Sequence, residues 1–151
     1  MEVEQAAYHS FPGLEQGTIP ASYKELFSRG LHAMDARQTH GIAMLGEVPR
    51  PDACVHVADF LCRFANNHFV AVAGVCGGTL YVILRSSNYG TNVGRIARLR
   101  LGMFGSAGGR HDKARAEIQM KRLGAVLGAH PGHERIELWL KSLLVPGKKQ
   151  P

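Results

Sequence analysis

The chain has 151 residues, 45% of them apolar and 20% charged, and a formal net charge of +6. These totals fit one ordinary globular domain, long enough to bury a real core, with a charge that favours polyanionic partners such as nucleic acid or nucleotides. They exclude a membrane span, because no apolar run is long enough to cross a bilayer, and Met1–Ser10 lacks the basic-then-apolar profile of a signal peptide.

Residues 1–20 mix acidic, polar and turn-forming residues without a sustained period and are expected to be a lead-in or linker. Pro20 then suits a helix start, and Tyr23, Leu26, Phe27, Leu31 and Met34 recur at helical spacing, which predicts a helix over Ala21–Ala36 with Gly30 as its weak point. Gly41–Val48 is a short apolar run bounded by turn formers, hence a buried strand. Pro51–Asn66 carries one apolar stripe (Cys54, Val57, Ala58, Leu61, Phe64) and reads as a helix. Asp52, His56, Asp59 and Arg63 share its other face, a pattern expected of a solvated face with i,i+4 pairs rather than of a metal site.

Phe69–Val75 and Thr79–Arg85 read as two strands joined by a tight turn at Cys76-Gly77-Gly78. Along the second, Leu80, Val82 and Leu84 face one way and Tyr81, Ile83 and Arg85 the other. Asn88-Tyr89-Gly90 is a loop, and Asn92 suits the N-cap of a helix from Val93 to about Leu101. Further on, Ala114, Ala116, Ile118 and Met120 alternate with polar residues as in a half-buried strand. Gly124–Gly132 reads as a breaker-rich connection, and Ile136, Trp139, Leu140, Leu143 and Leu144 mark a last helix before a polar tail at 146–151. The expected fold class is α/β, a single domain over 21–145 with a mixed sheet of about five strands and helices packed on its faces. Cys54, Cys62 and Cys76 lie in apolar segments without CxxC spacing, as expected of the buried thiols of a cytoplasmic protein.

Phe104–Ile118 reads FGSAGGRHDKARAEI, with Gly102, Gly105, Gly108 and Gly109 crowded just ahead of Arg110, His111, Lys113 and Arg115. Glycine backbones let N–H groups approach an anion closely, and adjacent cations add charge-assisted hydrogen bonds, so the stretch is expected to be a phosphate-gripping loop. The same residues also fit a glycine-rich turn with a solvated basic flank. Neither GxxxxGK[ST] nor GxGxxG occurs.

Three features occur in order: a strand ending in Arg85-Ser86-Ser87, the helix NVGRIAR at Asn92–Arg98, and FGSAGGRHDKARA at Phe104–Ala116. In that order the chain resembles the C-terminal, DHH-associated domain of the DHH phosphoesterases. VADFL at Val57–Leu61 looks like the helix before the hairpin in the nanoRNase-like branch. The resemblance covers most of Tyr23–Met120. It implies a substrate-holding domain that fixes the phosphate or terminal nucleotide of a short oligonucleotide. In that family a separate N-terminal DHH domain carries Asp and His ligands for two metal ions, usually manganese. That catalytic domain has no counterpart here, since no Asp-His-His run occurs and the eight histidines are scattered. This chain is therefore expected to hold no cofactor itself, and its partners to be a nucleotide phosphate, the catalytic domain and, in a dimer, a second copy.

Carried over by position, Arg85 and Ser86 match the family's strand-end pair, and Gly105, Ser106, Gly108 and Gly109 match its loop. The family's loop histidine falls on Arg110, while the histidine here is one place later at His111; either can supply the contact. A second expectation is a stand-alone nucleic-acid-binding domain like the C-terminal domain of alanyl-tRNA synthetases. Its basic surface would comprise Arg95, Arg98, Arg100, Arg110, Lys113 and Arg115. A third is an interaction or dimerisation domain in which the glycine loop only shapes a surface.

Overall fold

The computed structural model describes residues 18–64, 68–87 and 91–145. The lead-in up to residue 17, the predicted helix end at Asn66, the Asn88-Tyr89-Gly90 loop and the polar tail at 146–151 lie outside the described residues.

A short 3-10 turn, Ala21–Tyr23, leads into α1 (Lys24–Ala33), followed by β1 (His40–Glu47), α2 (Asp52–Cys62), β2 (Phe69–Cys76), β3 (Thr79–Ser86), α3 (Val93–Leu101), β4 (Ser106–Gly109), β5 (Lys113–Gln119), α4 (Met120–Leu127) and α5 (His133–Leu144). The five strands form one sheet in the order β1-β2-β3-β5-β4. β1 and β2 are parallel, joined through α2, and the other neighbours are antiparallel. The fold is thus α/β with a mixed five-stranded sheet, as the sequence pattern predicts. The β2–β3 turn is made by Gly77 and Gly78, whose φ values of +58° and +78° match the two-residue turn that follows the twist of the flanking strands.

Two cores lie on opposite faces of the sheet. Val93, Ala97 and Leu101 of α3, Leu123 of α4, and Ile136, Leu140 and Leu144 of α5 cover one face across Ala71, Ala73, Leu80, Val82, Leu84, Ala114, Ala116 and Ile118. α1 and α2 cover the other with Leu26, Ala53, Cys54, Val57, Ala58 and Leu61, against Ala43, Leu45, Val70, Val72 and Ile83. Burial of this apolar area, at about 25 cal/mol per Å², dominates the stabilisation. Among the described residues, Ile83 is the only strand residue beyond β2 in this second core. Helices α1 and α2 therefore centre on β1 to β3, and no described helix covers β5 and β4 on that side.

α4 departs from the sequence reading. Residues from Met120 onward are helical up to Leu127, where the strand was expected to include Met120 and a glycine-rich connection was expected to begin at Gly124. Leu123 is fully buried, with Met120 and Leu127 packed against the same core, and that apolar spacing outweighs the cost of Gly124 within the helix.

Candidate functional site

Strand β5 alternates strictly. Ala114, Ala116 and Ile118 are buried under the helices, and Lys113, Arg115, Glu117 and Gln119 are exposed. Because no described helix covers the sheet on that side, the exposed row meets its neighbours across the strands. Arg85 of β3 lies opposite Lys113, and Ile83 lies opposite Arg115. On the other flank Gly108 of β4 lies opposite Arg115. Together with Val55 of α2, Gly109 and Ala114, these residues line a shallow hollow of about 230 Å³. A larger cavity of about 580 Å³ lies at the far end of the sheet, by the Gly77-Gly78 turn and α4. Lys121 is the one lysine or arginine that lines it, whereas the hollow gathers Arg85, Lys113 and Arg115, so charge singles out the smaller site.

The glycines do two different jobs here. A Cβ on Gly108 would meet nothing within 4 Å and would project into the hollow. Gly109 has φ +151°, and a Cβ there would overlap the Lys113 carbonyl and the Ala114 backbone, while one on Gly105 would overlap the Glu117 carbonyl. The expected phosphate-gripping loop is therefore corrected: Ser106–Gly109 is an edge strand paired with β5. Ser-Ala-Gly-Gly has little strand preference of its own, and its extended shape comes from pairing with a well-formed neighbour. The true bend is the hairpin at Arg110–Asp112, closed by the Arg110 N–H donating to the Lys113 carbonyl at 2.8 Å. Ladder alternation from that bond directs the amides of Gly108 and Ser106 toward β5 and those of Ala107 and Gly109 toward the sheet edge. A contiguous row of amides, which an anion nest needs, is not formed.

The three cations differ in how firmly they are held. Arg85 Nε donates to Asp59 Oδ1 of α2 at 2.6 Å and Nη1 to the Leu84 carbonyl at 3.0 Å, leaving the arginine side chain only 13% exposed. Asp59 lies on the exposed face of α2, as expected, and also pins the guanidinium to the wall of the hollow. Arg115 pairs with Glu117 at 2.8 Å, and its guanidinium carbon lies 5.1 Å from the Tyr81 ring centroid. Lys113, exposed, forms no ion pair with a described acidic side chain. With Asp59 and Glu117 counted against the three cations, the hollow keeps a net positive charge. It suits a phosphate or another anion, which gains charge-assisted hydrogen bonds there.

The other predicted site residues lie around the hollow rather than in it. Ser86 follows Arg85 on the strand and so sits on the opposite face; its N–H donates to the Asp112 carbonyl at 3.0 Å and ties β3 to the hairpin. Ser106 is exposed on the same face as Gly108, opposite Glu117. Arg110, 74% exposed and 3.9 Å from Asp112, and the exposed His111 sit at the hairpin. Their carbonyls accept from the N–H groups of Gly94 and Val93 at 2.8 and 2.9 Å, and the Asn92 side chain accepts from the Arg95 N–H at 3.0 Å. These bonds use donors of the α3 N-terminus to fix the hairpin. Arg95, Arg98 and Arg100 belong to α3, on the far side of the sheet from Lys113 and Arg115, so the expected single basic surface is divided in two.

Asp59 is absent from the sequence-based site, and Lys113 and Arg115 enter it only as the basic flank of the glycine stretch. Alternation in KARAEIQ puts Lys113 and Arg115 on one face, but only the pairing of β5 with β3 reveals that Arg85 shares it. Nearby, Cys62 has its thiol pKa raised by burial, against a lowering hydrogen bond from Ser87. Burial pushes the Cys54 thiol up to about 12. Among the described residues no three His, Cys, Asp or Glu side chains come together in a group able to hold a metal ion, so no step of metal chemistry is assigned to them. Nor is any helix among them long and apolar enough to cross a membrane.

No family model matches the chain, and no curated protein matches it. Solved structures do. The C-Ala domain of Aquifex aeolicus alanyl-tRNA synthetase superposes with a TM-score of 0.50 at 22% identity, over 71% of this chain and 91% of that domain. An exopolyphosphatase-related protein from Bacteroides fragilis gives a TM-score of 0.52 at 14% identity, over 82% of this chain and 37% of that one. The chain thus spans nearly all of the first and little more than a third of the second. The likeness is one of fold.

Proposed function

We propose that this chain is the substrate-holding domain of a DHH-type phosphoesterase, and that the hollow takes the phosphate or terminal nucleotide of a short oligonucleotide, as in the nanoRNase-like branch. One observation carries this reading: Arg85, Lys113 and Arg115 converge on a space that Gly108 leaves open. Lys113 is the primary contact, because no acidic side chain among the described residues neutralises it. Arg85, oriented by Asp59, supplies a fixed wall of positive charge. Holding a phosphoryl group in place is itself worth orders of magnitude in rate when a reacting group is brought to it. Bond cleavage belongs to a separate catalytic domain, where manganese or another divalent ion would be held. The exopolyphosphatase-related fold neighbour is consistent with such an assignment.

Titration of the whole chain with a nucleoside 3′,5′-bisphosphate tests this. Lys113→Ala is expected to weaken binding about tenfold, as loss of a charge-assisted hydrogen bond implies. Unchanged affinity in both Lys113→Ala and Arg85→Ala would refute the assignment.

A second reading, a nucleic-acid-binding domain without catalysis, is favoured by the exposed Arg95, Arg98 and Arg100 of α3 and by the C-Ala fold neighbour. It requires tight tRNA binding that weakens steeply with salt through counterion release, and mutations on α3 rather than at the hollow would abolish it.

A further inference from the structure

We infer that Arg115, braced on Tyr81, is the shelf on which the aromatic base of a nucleotide stacks. It thereby selects nucleotides over phosphate compounds that lack a base. This rests on the hollow being a phosphoryl site.

The arrangement is more specific than a surface ion pair. Arg115 Nε is tied to Glu117 Oε2 at 2.8 Å, and the guanidinium carbon sits 5.1 Å from the centroid of the Tyr81 ring. The guanidinium carbon stands over the Tyr81 ring and the carboxylate holds the group through Nε. These two contacts restrict Arg115 before any ligand arrives, and Arg115 also lines the hollow. Planar guanidinium groups stack on nucleobases, whereas the ammonium of lysine offers only a point charge.

The two cations of β5 divide the work. Glu117 offsets the charge of Arg115 and occupies its Nε, which makes it a poor primary phosphate ligand. Lys113 has no such partner among the described residues. The two side chains lie on the same face, two residues apart, which is about 7 Å along a strand. A nucleoside sugar can bridge that step, with its phosphate at Lys113 and its base over Arg115. Ile83 and Val55 supply an apolar wall between α2 and the shelf.

The test compares a nucleoside 5′-monophosphate with ribose 5-phosphate, by calorimetric titration of the whole chain. Wild type is expected to bind the nucleotide about tenfold more tightly, the scale of one base stacked on a side chain. Arg115→Lys keeps the charge and removes the plane; it should bring the ratio near one, with the larger loss falling on the nucleotide. Tyr81→Leu removes the brace without touching a charge and should reduce the ratio as well.

A wild-type ratio near one, or a ratio unmoved in both variants, overturns the shelf and leaves the phosphoryl site standing. Equal loss of both ligands in Arg115→Lys also overturns it, because Arg115 would then be a phosphate ligand. Failure of wild type to bind either compound refutes the phosphoryl site and the shelf together.

Discussion

Strand β5 has two sides that obey different rules. On one, Ala114, Ala116 and Ile118 lie beneath the α3, α4 and α5 layer, fully or almost fully buried. On the other, Lys113, Arg115 and Glu117 stand on a stretch of sheet that no described helix covers. α2 packs on β2 and β3, where Asp59 holds Arg85. The difference teaches that the uncovered half is a built feature. A bare sheet face is usually polar all over, but this one sets three cations beside a glycine whose missing side chain makes the space.

The two glycines of β4 allow that contrast to be broken one side at a time. Gly109→Ala, at φ +151° and with its Cβ aimed at the Lys113 and Ala114 backbone, is expected to destabilise the fold by about 2 kcal/mol or more in urea unfolding. A loss below about 0.5 kcal/mol would show that the edge strand is looser than described.

Tyr23 gives a smaller effect on the covered side. Its hydroxyl donates to Asp52 Oδ1 at 3.0 Å, and Tyr23→Phe is expected to cost about 1 kcal/mol at neutral pH. Burial first, and then the hydrogen bond to Asp52, pushes the Tyr23 pKa up to about 12 from an ordinary 10.0. The folded chain thus keeps this proton when the unfolded chain has lost it. The associated stability is intact below about pH 10 and is lost as pH rises through about 12. Urea midpoints measured across that range should fall in wild type and fall less in Tyr23→Phe; equal slopes would contradict the assignment.

The smallest change in stability is expected for Gly108→Val, within about 0.5 kcal/mol, because its side chain enters open space in an extended strand. The same substitution fills the hollow and should reduce nucleoside 3′,5′-bisphosphate affinity about tenfold or more. A stable Gly108→Val protein with wild-type affinity would separate the hollow from binding.

Much of this fold is legible in the sequence because its elements obey simple periods. GIAMLGEV, FVAVAGV and TLYVILR read as strands, and the stripe through Cys54, Val57, Ala58 and Leu61 reads as the buried face of α2. Arg85 at the end of a strand is likewise visible as a candidate ligand contact. The glycine stretch misleads, since Ser-Ala-Gly-Gly carries loop chemistry and becomes a strand only through pairing with β5. The role of Asp59 is hidden for a related reason. Helical spacing places it on the polar face of α2, but only tertiary packing brings the buried guanidinium of Arg85 to meet it. Lys113 and Arg115 are visible as charges and invisible as a site, because strand order along the chain does not reveal which strands are neighbours.

The most direct test is to follow backbone amide resonances of the whole chain during titration with a nucleoside 3′,5′-bisphosphate. The expected result is a set of perturbations centred on Arg85, Gly108, Gly109, Lys113 and Arg115, absent in Lys113→Ala at the same ligand concentration. Perturbations confined to Arg95–Arg100 of α3, with the hollow unmoved, would contradict the phosphoryl site and favour the other side of the sheet.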